Sequence, residues 1–242
     1  MVQLRNPFGG PVFYYPCVSS TMDEARKIGR HGSVIIAELQ SAGRGRLTRP
    51  WYANPYENLT FTVVLQYTAI PAVLSLRVGV AVFYALTQYI PSLNGKVQIK
   101  WPNDCLINAK KVAGILVESD GQNVYIGIGI NVNQTDFGAD LNHKVSSIAL
   151  ALSRKIDSRF ALLETVLKEL CIELSAGKSN WCTVLNEHLY KKGEKIQFKI
   201  GGADSTTTVE ATLINVNTDG MLVVQYESGA IKTFITGEIL FV

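Results

Sequence analysis

Cysteine, histidine and charge of one sign are all scarce in this chain, and each shortage removes a class of function. Its four cysteines, Cys17, Cys105, Cys171 and Cys182, form neither a C-x-x-C pair nor a zinc-finger spacing. Without an export signal they read as reduced intracellular thiols and not as a disulfide framework. The three histidines, His31, His143 and His188, lack an H-x-x-x-H spacing, and no G-x-S-x-G elbow is present. Zinc-enzyme and serine-hydrolase readings therefore fall away. A net charge of +3 over 242 residues is too small for a dedicated nucleic-acid or membrane surface. Long apolar runs are missing too. The N-terminal MVQLRNPFGGPVFYYP has no signal-peptide core, and the most apolar later segment, 71–91, is broken by Arg77 and Gln88. The expectation is a soluble cytoplasmic protein without a membrane partner.

What the chain does have is material for a core. Hydrophobic residues make up 47% of it, enough for one good-sized domain with a small appendage. Val12 to Tyr15 reads as a short strand. A helix follows to about Ile28, with Thr21 as its N-cap and Glu24 completing a capping box. Ser33 to Gln40 and Asn58 to Gln66 are β-branched strands, and Pro71 opens a helix whose apolar residues recur at helical spacing to Tyr89. Val97 to Trp101 is a strand halted by the turn Pro102-Asn103-Asp104. Two apolar strands come next, KVAGILVES and VYIGIGINVN, then helices over 146–154 and 159–175, the second ended by Gly177. From about Lys191 the texture changes to short alternating strands joined by Asp219-Gly220 and Ser228-Gly229 turns. The expected fold class is α/β (α+β): a mixed β-sheet catalytic domain over 1–187 with helices packed on it, and a small SH3-like β-barrel domain over 188–242.

Two nucleotide-motif look-alikes fail on context. Gly177-Lys178-Ser179 ends a helix where a P-loop should open one, and GIGIN continues a strand where a dinucleotide fingerprint needs a helix. The remaining polar groups gather at strand ends. The stretch AGRGRLTRPW concentrates Arg44, Arg46 and Arg49 with Gly43 and Gly45, and no acidic residue lies between Glu38 and Glu57. Lys100-Trp101-Pro102-Asn103-Asp104, Lys110-Lys111 before Gly114 and Ile115, and Asn131 complete the set. Taken singly, each reads equally well as a solvated loop, a turn, a lysine pair or a capping amide. Taken together, cations on a glycine loop with a fixed lysine and a carboxylate suit chemistry at a nucleotide phosphate, where catalysis is mainly positioning and charge stabilisation.

These pieces occur in a particular order: SSTMDEA, the glycine-arginine loop ending in tryptophan, KWPND, KKVAGILVE, GIGINVN and a small C-terminal β domain. In that order the chain resembles, over nearly its whole length, the biotin protein ligases, the biotin–acetyl-CoA-carboxylase ligase group. The resemblance implies activation of biotin by ATP with Mg2+ to biotinyl-5'-AMP, then transfer to a lysine of a biotin carboxyl carrier protein domain. Carried over by position, it implies biotin contacts from Ser20, Thr21, Met22, Gln40, Gly43, Arg44, Gly45, Arg46, Lys111, Gly114 and Ile115. It implies ATP contacts from Arg46, Arg49, Trp51, Asn103, Lys111 and Asn131, with Trp51 over adenine. Lys111 and Arg46 are the implied catalytic cations, and Asp104 and Lys100 assist the incoming amine; no resident metal site is implied.

Several positions depart from the family pattern. Met22 replaces a common asparagine, so only a backbone contact is implied for it, and the loop departs from its usual run at Leu47, Thr48 and Pro50. The loop is expected to be mobile when empty and ordered by the anions of ATP or biotinyl-AMP. The chain begins almost directly at the catalytic domain, which implies no helix-turn-helix and no specific DNA. The sequence leaves open whether it is a monomer or a homodimer. Two rival readings are a lipoate or octanoate ligase-like enzyme and a non-catalytic biotin-binding regulatory module. The ordered GRGR and KWPND motifs weigh against the first, and intact Lys111, Asp104 and Arg46 against the second.

Overall fold

The computed structural model describes residues 4–66, 73–175, 180–201 and 207–241. Seven strands form its main sheet: β1 (Val12–Val18), β2 (Val34–Gln40), β3 (Leu59–Gln66), β4 (Val97–Lys100), β5 (Asp104–Ile107), β6 (Lys110–Ser119) and β7 (Asn123–Ile130). They lie in the order β1-β2-β3-β7-β6-β5-β4. β1 runs parallel to β2, and the other neighbours are antiparallel. The near-continuous apolar strands follow from burial on both faces. Val34, Ile36, Phe61, Val63, Ile126 and Ile128 face a large core that includes α2 (Leu74–Tyr89), α4 (Arg159–Ser175) and α5 (Trp181–Glu187). On the opposite face Ile35, Val64 and Tyr125 pack with Met22 and Ala25 of α1 (Thr21–Ile28).

Five further strands, β8 (Lys195–Ile200), β9 (Thr208–Val216), β10 (Leu222–Gln225), β11 (Ile231–Phe234) and β12 (Gly237–Ile239), make a small antiparallel sheet in the order β11-β10-β9-β8-β12. Its buried Ile196, Phe198, Leu213, Leu222, Val224 and Ile239 join the main core without a break. Trp101 Nε1 donates to the Gly220 carbonyl at 3.0 Å, tying the end of β4 to the β9–β10 turn. The α/β class and the small all-β unit agree with the sequence expectation.

Four local readings need correction. Ser20 is the N-cap of α1, accepting from Met22 N–H at 3.2 Å, and Thr21 is the first helical residue. Thr21 is drawn inward because its hydroxyl and amide both bond Gln40 Oε1. β1 continues past Tyr15 to Val18 through Pro16, which an edge strand tolerates because one of its sides needs no ladder donor. Asp104 opens β5 and does not end a turn; the hairpin sets it opposite Lys100. The helix expected over 146–154 shortens to α3 (Ile148–Leu152), capped by Ser147 and stopped where Ser153 turns left-handed at φ 56°. α5 is a helix beyond those expected from the sequence. The expectations for Pro71 and for Gly177 with the Gly177-Lys178-Ser179 triplet lie outside the described residues.

Candidate active site

The cavity floor is built by alternation along β7. Successive side chains of a strand point to opposite faces, so Tyr125, Gly127 and Gly129 share the α1 face while Ile126, Ile128 and Ile130 enter the large core. Gly129 is paired with Gly114 of β6, which leaves bare backbone across two neighbouring strands, and Thr60 of β3 borders them on the other side. Over it opens a cavity of about 630 Å3, lined by the floor, α1, the arginine loop, β4 to β6 and the C-terminal sheet.

One end of the cavity is polar and neutral. Thr21 donates to Gln40 Oε1 from its backbone N–H at 2.8 Å and from its hydroxyl at 3.0 Å, and Thr62 Oγ1 meets Thr21 Oγ1 at 2.9 Å. These bonds fix the Gln40 amide on the wall beside buried Ser20. The other end is cationic. Lys111 Nζ lies 2.7 Å from Asp104 Oδ1 in an ion pair. Lys100 Nζ is 3.9 Å from Asp104 Oδ2 and 4.4 Å from the Phe241 ring centre. Lys100 is only 1% exposed. Burial pulls its ammonium below the usual lysine value, with Asp104 opposing.

The arginine loop closes the cavity through its own backbone and three side-chain anchors. Trp51 N–H donates to Gly43 O at 2.9 Å and Gly45 N–H to Arg49 O at 2.8 Å. Its tip places Leu47 and Thr48 at φ 56° and 57°, left-handed values that side chains with a Cβ disfavour. Arg49 makes a two-pronged pair with Glu238 at 2.7 and 2.6 Å. Arg46 Nη1 reaches Asn103 Oδ1 at 3.3 Å. Burial lowers the Arg46 pKa, opposed by the charges of Asp104 and Glu238. Arg44 turns aside to Asp23, at 2.7 and 3.1 Å. The loop arginines thus differ in role: distant carboxylates neutralise Arg44 and Arg49, and Arg46 alone of the three makes no ion pair among the described residues. The Trp51 indole lies over Gly129 and Gly114, beside Lys111, whose Nζ is 5.7 Å from the ring. Trp51 Nε1 is buried without a hydrogen-bond partner among the described residues.

The expected site residues converge here with two exceptions. Gly43 stays in the loop's closing turn, where a Cβ would sit 2.7 Å from Trp51 O. Asn131 lies behind the wall, its amide donating to Ser146 O at 3.0 Å while its Oδ1 has no partner among the described residues. The sequence reading missed Gly127, Gly129, Lys144, Lys199, Glu238 and Phe241. Alternate glycines inside an apolar strand are a signal of close approach that would have found the first two. No local signal marks Glu238.

The family model for the biotin/lipoate A/B protein ligase family matches residues 14–133. Over 177 residues the chain is 34% identical to the bifunctional ligase/repressor BirA of Bacillus subtilis, covering 68% of this chain and 53% of that protein. Over 107 residues it is 38% identical to a biotin–[acetyl-CoA-carboxylase] ligase of Mycobacterium tuberculosis, covering 43% of this chain and 40% of the relative. The chain spans about half the length, or less, of these curated relatives. The solved biotin protein ligase from Aquifex aeolicus in complex with biotin and ATP superposes with a TM-score of 0.83 at 26% identity, covering 95% of this chain and 97% of that one. With the motifs in family order, the fold in common and the glycine-floored cavity between them, the chain belongs to the biotin/lipoate A/B protein ligase family.

Proposed function

We propose that the protein is an ATP-dependent biotin–[acetyl-CoA-carboxylase] ligase, which activates biotin as biotinyl-5'-AMP and passes the biotinyl group to a lysine of a biotin carboxyl carrier domain. The observation that carries this reading is the polarity of one cavity: a neutral hydrogen-bonding end at Thr21 and Gln40, a bare glycine floor, and a cationic end at Lys111 and Arg46. A ureido ring needs the first, an apolar bicycle and chain the second, and a carboxylate meeting a triphosphate the third.

In the first step the biotin carboxylate oxygen bonds to the α-phosphorus of ATP and pyrophosphate leaves. Two anions must approach, and Lys111 and Arg46 offset their repulsion from fixed positions in a partly dehydrated site. Trp51 with its open indole donor covers the floor. In the second step the acceptor lysine amine bonds to the acyl carbon of the mixed anhydride and AMP leaves. Asp104, held between Lys111 and Lys100, takes the proton that the amine gives up. Among the described residues no three His, Cys, Asp or Glu side chains gather into a metal site, and Asp104 and Glu238 are the carboxylates of the cavity wall. Asp104 would hold a Mg2+ ion carried in with ATP, and that ion would supply neutralisation of the phosphate charge.

Purified protein with ATP and Mg2+ should release pyrophosphate faster with biotin than with lipoate or octanoate, and should then add one biotinyl mass to a carrier domain. Equal release with lipoate, or no mass shift, would refute the assignment.

A further inference from the structure

Met22 is 3% exposed and packed with Ala25, Ile35, Val64 and Tyr125, yet its side chain also forms part of the cavity wall. Its Sδ lies 2.9 Å, and its Cγ 3.3 Å, from where a Cβ on Gly127 would stand. The thioether therefore occupies the volume that a side chain on β7 would take. Its packing against Ala25, Ile35, Val64 and Tyr125 opposes retreat toward α1, and the Ser20 Oγ bond to its backbone N–H at 3.2 Å fixes where its side chain starts. Its neighbours Thr21 and Gln40 supply the polar contacts at this end; Met22 adds an unbranched, polarizable apolar surface.

We infer that Met22, seated on Gly127, is a specificity-determining residue that sets the width of the ring-binding end of the cavity. It admits a bicycle of biotin's size and rejects one carrying an additional alkyl group on the ring. This rests on the biotin-activating reading above. The physical ground is that an apolar wall discriminates by volume, and one methylene too many or too few changes specificity by roughly 10- to 200-fold.

The test compares pyrophosphate release by the full chain with biotin and with a ring-alkylated biotin, after melting curves establish that each variant is folded. Met22→Ala should raise the kcat/KM ratio of analogue to biotin by about tenfold or more. Gly127→Ala, whose methyl pushes the thioether into the cavity, should raise KM for biotin while leaving KM for ATP within about twofold. Adding Met22→Ala to Gly127→Ala should recover much of the biotin KM, a coupling that two independent sites would not show. An unchanged analogue ratio in folded Met22→Ala overturns the inference. So does a Gly127→Ala enzyme whose two KM values rise together. No biotin-dependent release by the wild-type protein would instead defeat the underlying assignment, before any variant is compared.

Discussion

Gly129→Ala is the sharpest perturbation of the floor. A Cβ at this position would overlap the six-membered part of the Trp51 indole and stand 2.9 Å from Nε1. Carbon contacts settle near 3.5 to 4.0 Å, so the ring must retreat by roughly 1 Å or more. β7 cannot yield, since it is bonded on one side to β3 and on the other to β6. The loop must, and it is tied by Trp51 N–H to Gly43 O, by Gly45 N–H to Arg49 O, and by Arg49 to Glu238. Overpacking of this kind costs about 1–3 kcal/mol, which would lower the closed-to-open ratio of the loop by roughly five- to 150-fold. Hydrogen exchange should therefore quicken over 43–51 in the unliganded variant while β3, β6 and β7 stay protected. Adenylate formation should slow with it. Exchange over 43–51 unchanged from wild type, in a folded variant, would show that the indole does not rest on Gly129.

Lys111→Ala removes one cation from the reacting anions and leaves Asp104 with Lys100 at 3.9 Å; loss of a charged hydrogen bond, about 1.5–3 kcal/mol, should cut the rate of pyrophosphate release at least about tenfold, and a wild-type rate would remove Lys111 from the chemistry. Thr48→Gly relieves a β-branched residue at φ 57° and should steady the closed loop by about 1 kcal/mol, read as slower exchange over 43–51; faster exchange would contradict it. Burial pushes the Glu238 carboxyl up, but the hydrogen bond and charge of Arg49, with Lys100 and Lys111, outweigh it and hold the group below the usual glutamate value. A depressed carboxylate contributes its full stability above the unfolded value and loses it as pH falls through the folded one. The link between the loop and the C-terminal sheet should accordingly weaken below about pH 4.5, where the unfolded group titrates, and Glu238→Gln should flatten that part of a stability-versus-pH curve. An identical curve for the variant would leave the pair without a role.

Much of this protein is legible in one dimension. The strands β2, β3 and β7 are announced by apolar segments rich in β-branched residues, α4 by its apolar spacing, and the small C-terminal sheet by alternation and glycine turns, because these depend on local preference and on burial averaged over a segment. The site motifs are legible for the same reason, since AGRGRLTRPW, KWPND and KKVAGILVE are each contiguous. What one dimension does not contain is direction. That Thr21 faces Gln40 and leaves the capping to Ser20 depends on where β2 lies against α1. The division of labour among the loop arginines depends on carboxylates 21 and 189 residues away, Asp23 for Arg44 and Glu238 for Arg49. Charge interacts through space, so residues remote in sequence decide which cation stays available for an anion. Sheet register made the same kind of choice for Gly114, Gly127 and Gly129: the sequence determined that they have no side chains, and only the pairing of β6 with β7 turned those gaps into a single floor.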